Sequence, residues 1–269
     1  MNEGKFNIAI LIDGDNAQAK LIKDIIAEVS KYGKATVRRI YGDWTNQHMN
    51  SWKEIVNQYS INPIQKFSYT SGKNSTDSSL IIDAMDILHG KSVDGFCIVS
   101  SDSDYTGLAK RIREEGLFVM GIGRSTTPIA FVNSCEIFTF TENLVSDNED
   151  DDNDISGLFG KEKENTADKS DREIRKNMVV QKEKDASLPK KFPKIDITLI
   201  DKAFDIATND EDETTYIAKV GLSLRKMDPS FDARTYGFKN LTQLFESLKK
   251  YEVIKNEVNG LNHPMVKLK

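Results

Sequence analysis

The chain has 269 residues, with 37 Lys and Arg against 42 Asp and Glu, which gives a formal net charge of −5 at pH 7. This length favours two domains over one. No apolar run approaches the roughly 20 residues that span a bilayer, and the N-terminus lacks the basic-then-apolar pattern of a signal peptide, so we expect a cytoplasmic protein without membrane contact. The negative charge argues against indiscriminate binding to nucleic acid, but it is compatible with a local basic face.

Cysteine and histidine are scarce in this sequence. Its two cysteines, Cys97 and Cys135, both lie in apolar runs, and there are three histidines. Because secreted folds use cysteine more heavily, we expect buried, reduced thiols. A structural zinc site would have almost no ligands available.

Residues from about 6 to 144 alternate strand and helix patterns. This alternation predicts an α/β fold with a three-layer, doubly wound parallel sheet. Short apolar runs rich in β-branched residues predict the strands Asn7–Ile12, Thr36–Tyr41, Pro63–Phe67, Phe96–Val99, Phe118–Ile122 and Ile137–Phe140. Apolar residues at helical spacing predict the helices Ala19–Tyr32, a stretch around Trp52 to Tyr59, Asp77–His89 and Tyr105–Glu115.

Acidic residues follow two of the predicted strands. Asp13 and Asp15 come after the first strand, and Asp102 and Asp104 come after the fourth. Because ligands bind outside the carboxyl ends of parallel strands, we expect these side chains to share one site. Packed carboxylates repel one another unless a cation neutralises them, and oxygen ligands suit Mg²⁺ or Mn²⁺. The pattern therefore predicts a divalent-metal site.

A further acid, Asp77, lies in the first turn of the third predicted helix. It shares a helical face with Ile81 and Met85, which places it at the edge of the face towards the sheet. Asp83 lies on a different side of that helix and is a weaker candidate, while Asp86 is expected to be a solvated residue. A single Asp after a strand is more often a turn former or a helix cap, but the combination favours a metal site.

Three motifs occur in order along this part of the chain. They are Ile12-Asp13-Gly14-Asp15-Asn16, the stretch from Lys73 to Asp86, and Val99-Ser100-Ser101-Asp102-Ser103-Asp104-Tyr105. Together they resemble the NYN domain of the PIN-like nuclease superfamily, its LabA-type branch in particular. The resemblance implies a PIN-like fold and a ribonuclease that depends on Mg²⁺ or Mn²⁺, with endonucleolytic cleavage as the expected mode. It implies metal ligation by Asp13, Asp77, Asp102 and Asp104, and a role for Asn16 in orienting a ligand or the scissile phosphate.

Two basic residues near these motifs are candidates for contact with RNA. Lys73, in the loop before Asp77, could neutralise a substrate phosphate. Arg124, in the segment from Gly121 to Pro128, could do the same, although a plain strand-to-helix turn is the simpler interpretation. The three histidines share no ligand-like spacing, and we assign them no role.

The composition changes after residue 145. An acidic run from Asp147 to Asp154 opens a charged segment with few aromatic residues, which predicts a flexible linker over residues 146–194. Residues 195–269 then show the outline of a small winged helix, with a hairpin turn at Asn259-Gly260. Its predicted elements are the helices Ile197–Ala207, Tyr216–Lys226 and Lys239–Lys250 and the strands Tyr251–Lys255 and Met265–Leu268.

Motifs in this last part also form a recognisable set. They are the stretch from Val220 to Lys226, Asp228-Pro229-Ser230-Phe231-Asp232, and Arg234-Thr235-Tyr236-Gly237-Phe238-Lys239-Asn240-Leu241. They resemble the LOTUS domain, also called OST-HTH, whose members are associated with RNA or with protein partners. The expected RNA-binding residues are Arg225, Lys226, Arg234, Tyr236 and Lys239. The alternative is that Tyr236 belongs to the core and the lysines to a solvated face.

The sequence thus predicts a nuclease domain over residues 1–145, joined by a linker to an RNA-targeting domain over residues 195–269. Its partner would be single-stranded or structured RNA. Two alternatives remain open, namely a regulatory scaffold that binds RNA or protein without cleavage, and a Mg²⁺ enzyme acting on small phosphates. A homodimer and a protein partner of the C-terminal domain also remain open.

Overall fold

A computed structural model describes residues 6–67, 75–144, 192–208, 213–258 and 261–269. The predicted contact residue Lys73, the Asn259-Gly260 turn and residues 146–191 of the predicted linker lie outside this part of the chain. The segments Met1–Val145 and Ile195–Lys269 together form one compact unit. Within the described residues, no helix is long and apolar enough to cross a bilayer.

The N-terminal sheet contains six parallel strands. They are β1 (Asn7–Asp13), β2 (Lys34–Gly42), β3 (Asn62–Gln65), β4 (Gly95–Val99), β5 (Phe118–Gly123) and β6 (Ile137–Phe140). Their order in the sheet is β3-β2-β1-β4-β5-β6, and Ile12 of β1 pairs with Val99 of β4. The strand order therefore reverses between β1 and β4, and a ligand site is expected outside their carboxyl ends. The predicted doubly wound α/β fold is confirmed.

Among the described residues, five α-helices flank this sheet. They are α1 (Ile22–Ser30), α2 (Lys53–Gln58), α3 (Ser75–His89), α4 (Thr106–Glu114) and α5 (Ile129–Ser134). The 3₁₀ turns Ala19–Leu21, Gln47–Trp52 and Ser103–Tyr105 precede α1, α2 and α4. The predicted first and fourth helices thus include a 3₁₀ turn. We did not predict α5, because six residues are too few to display a helical period.

The two faces of the sheet carry separate hydrophobic clusters. In β1, Ile10 and Ile12 face α1 and α2, whereas Leu11 faces α3, α4 and α5. This alternation is the period of two that a strand imposes on its side chains. Cys97 and Cys135 are free and buried, as predicted.

In the described residues, the C-terminal part combines three α-helices with a three-stranded antiparallel sheet and a separate two-stranded one. Its elements are α6 (Ile197–Ala207), α7 (Ile217–Met227), α8 (Leu241–Ser247), β7 (Thr214–Tyr216), β8 (Tyr251–Ile254), β9 (Glu257–Val258), β10 (Leu261–Asn262) and β11 (Met265–Leu268). Strand β11 lies between β7 and β8. The side chain of Asp196 caps α6 and that of Asn240 caps α8, each accepting bonds from free backbone N–H groups. The small winged-helix-like domain is confirmed.

Candidate metal centre

Asp13, the last residue of β1, is fully buried. Its carboxylate accepts hydrogen bonds from Asn16 Nδ2 at 2.7 Å and from Ser100 Oγ at 2.9 Å. Burial raises the pKa of Asp13; these two hydrogen bonds lower it, the charges of Asp77 and Asp15 raise it, and the net shift is upward. Asp13 therefore ties the end of β1 to the residue that follows β4.

The loop after β4 extends this network towards the surface. Ser100 Oγ accepts a hydrogen bond from the Asp102 N–H at 3.0 Å. The Asp102 carboxylate in turn accepts the Asp104 N–H at 2.9 Å and so caps the short turn Ser103–Tyr105. Capping of this turn holds both acidic side chains at the carboxyl edge of the sheet.

Asp77 reaches the same place from the first turn of α3. Its carboxylate accepts a hydrogen bond from Tyr105 Oη at 2.7 Å. Burial raises the pKa of Asp77, the hydrogen bond from Tyr105 lowers it, and the charges of Asp102 and Asp104 raise it, with an upward net shift. The Asp77 carboxylate therefore lies close to other negatively charged side chains.

Asp77, Asp102 and Asp104 form the acid cluster. Each places a carboxylate oxygen within 4.8 Å of the other two. Three carboxylates at this separation repel one another unless a cation lies between them, and a donor set of oxygen alone suits Mg²⁺ or Mn²⁺. The residues therefore fit a divalent cation. Asp13 is not one of the three, but Ser100 links its carboxylate to the backbone of Asp102.

A small pocket of about 10 Å³ lies beside the loop that leads to Asp102, between the ends of β4 and β5 and helix α1. Asn16, Ser101 and Arg124 are among the residues that line it. The Arg124 N–H donates to Ser101 Oγ at 2.8 Å, while the Arg124 side chain is exposed. Arg124, a predicted phosphate contact, is therefore bonded through its backbone to the residue that precedes Asp102.

Tyr105 is the residue of this site that the sequence analysis missed. Its side chain is fully buried, and its ring lies 6.3 Å from that of Phe131. Burial, followed by the charges of Asp13 and Asp77, raises its pKa well above the usual range, so the hydroxyl remains a hydrogen-bond donor. A tyrosine at the start of an amphipathic helix gives no sign in the sequence that its hydroxyl meets an acid 28 residues away.

Two further polar contacts lie around the centre. His48 Nε2 is 2.9 Å from a carboxylate oxygen of Asp15, and both side chains are exposed. On α3, Asp83 accepts hydrogen bonds from Arg39 and Tyr41 of β2. Asp83 therefore joins α3 to the sheet and is not a member of the acid cluster.

The predicted RNA-binding residues of the C-terminal domain fall into two groups. Lys226 and Lys239 are exposed. The other three have partners within the chain: the Arg225 guanidinium lies 5.8 Å from the Tyr32 ring centroid, Arg234 pairs with Glu28 and Asp232, and the Tyr236 ring packs 5.7 Å from that of Phe231.

Tyr105→Phe is expected to weaken metal binding about tenfold or more, because loss of a supporting hydrogen bond to a ligand typically costs 10–100-fold. The substitution keeps the ring in the core and removes only the donor to Asp77. Isothermal titration with Mn²⁺ measures the effect. An unchanged Mn²⁺ affinity would show that Tyr105 does not orient Asp77.

A parallel sheet with acids gathered at its switch point defines an α/β protein of the PIN-like fold with a candidate metal centre. The NYN domain family matches residues 7–144, and the chain belongs to this family of nuclease-type domains. Residues 188–263 match the OST-HTH/LOTUS family, which is a family of RNA-binding domains. No curated protein matches the chain.

Two solved structures are similar to part of this chain. One is a protein of unknown function from Vibrio parahaemolyticus, with 19% identity and a TM-score of 0.43, covering 51% of this chain and 94% of its own. The other is an uncharacterized protein of Nitrosomonas europaea, with 17% identity and a TM-score of 0.27, covering 41% of this chain and 92% of its own. The assignment to a family rests on the two domain matches and not on these structures.

Proposed function

We propose that this protein is a metal-dependent ribonuclease that hydrolyses RNA phosphodiester bonds at the acid cluster. The observation that carries this proposal is the convergence of Asp77, Asp102 and Asp104 to within 4.8 Å in a nuclease-type domain. The cluster lies beyond the strand ends where α/β sheets bind their ligands.

Each residue of the centre has a distinct part in this proposal. Asp77, Asp102 and Asp104 hold Mg²⁺ or Mn²⁺, with Asp13 as a further ligand or as their support. Asn16 orients Asp13 through its amide hydrogen bond. A divalent cation at this position supplies a nucleophile at neutral pH and offsets the charge that develops on the scissile phosphate. No acid then needs to attack the phosphate itself.

The basic residues would bring the RNA to this centre. Arg124, which is exposed beside the loop that leads to Asp102, would pair with a backbone phosphate. In the OST-HTH/LOTUS domain, the exposed Lys226 and Lys239 supply phosphate contacts. Asp104 and Arg124 are both exposed, and we propose endonucleolytic cleavage as the mode of the enzyme.

The test compares cleavage of labelled single-stranded and hairpin RNA by the wild type, Asp102→Asn and Asp86→Asn, each with Mg²⁺, Mn²⁺ or EDTA. Asp86 is exposed on α3 and lies outside the acid cluster, so it is a matched control for the loss of one carboxylate. We expect metal-dependent products from the wild type and Asp86→Asn, and at least about a 100-fold loss with Asp102→Asn, because a metal site supplies several kcal/mol of transition-state stabilisation.

Two outcomes would contradict the proposal. RNA binding without cleavage under every metal condition would identify a regulatory scaffold instead. Equal cleavage by the wild type and Asp102→Asn would show that the products come from another site or from a contaminating nuclease.

A further inference from the structure

Glu28 is a charged residue in an unexpected environment. It lies in the last turns of α1, beside the apolar face of that helix, and only 4% of its surface is exposed. A carboxylate is rarely buried to this extent unless it is paired. Lys31, three residues along, supplies one partner at 2.7 Å, but its own side chain is 56% exposed. Another part of the chain must therefore cover Glu28.

Arg234 of the C-terminal domain provides this cover. Its Nη1 and Nη2 atoms donate to the two carboxylate oxygens of Glu28, each at 3.0 Å. Two parallel hydrogen bonds of this kind fix direction as well as distance, which a lysine cannot do. The contact joins residues 206 positions apart in the sequence.

The local structure around Arg234 holds its side chain ready for this contact. Asp232 caps the 3₁₀ turn Ala233–Tyr236 and accepts the Arg234 Nε hydrogen at 3.0 Å. The turn ends at Gly237, whose φ of 85° lies in the left-handed region that favours glycine. The guanidinium is thus oriented by its own domain before it meets Glu28.

A second pair of residues lies beside the first. The Arg225 guanidinium lies 5.8 Å from the centroid of the Tyr32 ring, which stacks at 5.9 Å on Phe118 of β5. The face of an aromatic ring attracts a guanidinium, and more strongly where the pair is desolvated. Both arginines of the C-terminal domain that were candidates for RNA contact therefore reach the surface of the N-terminal domain.

The outer strand of the N-terminal sheet takes part as well. The Phe138 N–H of β6 donates to the Pro229 carbonyl at 2.8 Å. Asn143 Nδ2 donates to Thr235 Oγ1 at 2.8 Å, just after the end of β6. The C-terminal domain thus covers part of an edge strand of the N-terminal sheet.

We propose that Glu28, Tyr32, Phe138 and Asn143 form a docking surface for the C-terminal domain of the same chain. The RNA-binding domain then keeps a fixed position on the N-terminal domain and does not move independently of it. Arg225 and Arg234 bind the N-terminal domain. The residues of the C-terminal domain that contact RNA phosphates are then exposed ones such as Lys226 and Lys239.

The test cuts the full chain within residues 146–191 by means of an inserted protease site, and then asks whether the two halves stay together. At physiological salt we expect the wild-type halves to co-elute in gel filtration at the volume of the uncut chain. With Arg234→Gln the dissociation constant should rise at least about 100-fold, because the buried Glu28 carboxylate then loses both guanidinium hydrogen bonds and keeps only the largely exposed Lys31 as a charged partner. Glu28→Gln should shift it in the same direction.

Arg111→Gln is the matched control, because it removes a guanidinium from an exposed pair with Glu115 within α4 and should leave the halves together. Arg225→Gln, which leaves the Arg234 contact in place, provides a second variant should Arg234→Gln fail to fold as judged by circular dichroism. It should weaken the association severalfold. The proposal would be overturned if the wild-type halves eluted separately. It would also be overturned if the halves of Arg225→Gln, or of a folded Arg234→Gln protein, associated as tightly as those of the wild type. The assay needs neither RNA nor metal, so its outcome is independent of the cleavage test.

Discussion

Asp77→Asn is expected to abolish RNA cleavage while raising the thermal stability of the metal-free protein. The amide no longer ligates a cation well, so activity should fall at least about 100-fold. It can still accept the hydrogen bond from Tyr105, and it removes a negative charge beside Asp102 and Asp104. Relief of this repulsion should raise the melting temperature in EDTA by about 2–4 °C, which corresponds to roughly 1 kcal/mol in a protein of this size.

The stability of the metal-free protein should also depend on pH through Asp77. Burial and the neighbouring acids raise its pKa, so the folded protein binds this proton more tightly than the unfolded chain does. The resulting stabilisation is present at low pH and is lost as the pH rises through the raised pKa. The difference in melting temperature between Asp77→Asn and the wild type should therefore widen as the pH rises towards neutrality.

Melting curves in EDTA and in Mg²⁺, recorded for both proteins across a pH series, measure these effects. Mg²⁺ should stabilise the wild type and not Asp77→Asn. Asp86→Asn, on the exposed side of the same helix, should behave as the wild type in every condition. If metal-free Asp77→Asn melted at a lower temperature than the wild type, repulsion of Asp77 by Asp102 and Asp104 would not be what destabilises the metal-free protein.

The sequence was sufficient to predict the sheet and the place of the acids, because both depend on local patterns. Apolar runs predict strands, and the acids at the ends of β1 and β4 need only a parallel sheet to meet. The addition of Asp77 to this group came from its place on the helix face towards the sheet and from the resemblance to the NYN domain. The structure refines it by placing Asp13 behind them, fully buried, where its side chain is occupied by Asn16 and Ser100.

Contacts between distant segments could not be predicted in the same way. The hydroxyl of Tyr105 meets Asp77 only because α3 and the turn after β4 pack on the same face of the sheet. The sequence shows Arg234 as a basic residue, but whether it faces RNA or Glu28 depends on how the two domains pack. Such pairings follow from tertiary structure, for which a single sequence carries no local signal.

Gly123→Ala is the second substitution with a large expected effect, because Gly123 ends β5 against the network that supports the acids. A Cβ atom at this position would lie 2.5 Å from the Ser100 carbonyl oxygen and 2.8 Å from Thr127 Oγ1. Since the first of these neighbours is backbone, Ser100 must move. Overpacking of this kind costs about 1–3 kcal/mol, which corresponds to a fall in melting temperature of roughly 2–10 °C.

Gly123→Ala should also lower the rate of RNA cleavage, and by more than the loss of fold stability alone would cause. Ser100 Oγ holds both the Asp13 carboxylate and the Asp102 backbone, so its displacement moves an acid of the cluster. A misplacement of about 1 Å can cost on the order of 100-fold in rate, and we expect a loss of this size well below the melting temperature. Cleavage rates and melting curves of the same preparations measure the two effects separately.

Gly107→Ala provides the matched control for this substitution. Gly107 lies in α4, and a Cβ atom there would meet nothing within 4 Å. Because alanine is favoured over glycine in a helix by about 1 kcal/mol, the control should melt at or above the wild-type temperature and retain full activity. A Gly123→Ala protein that melts lower but cleaves RNA at the wild-type rate would show that Ser100 supports the fold without positioning Asp102.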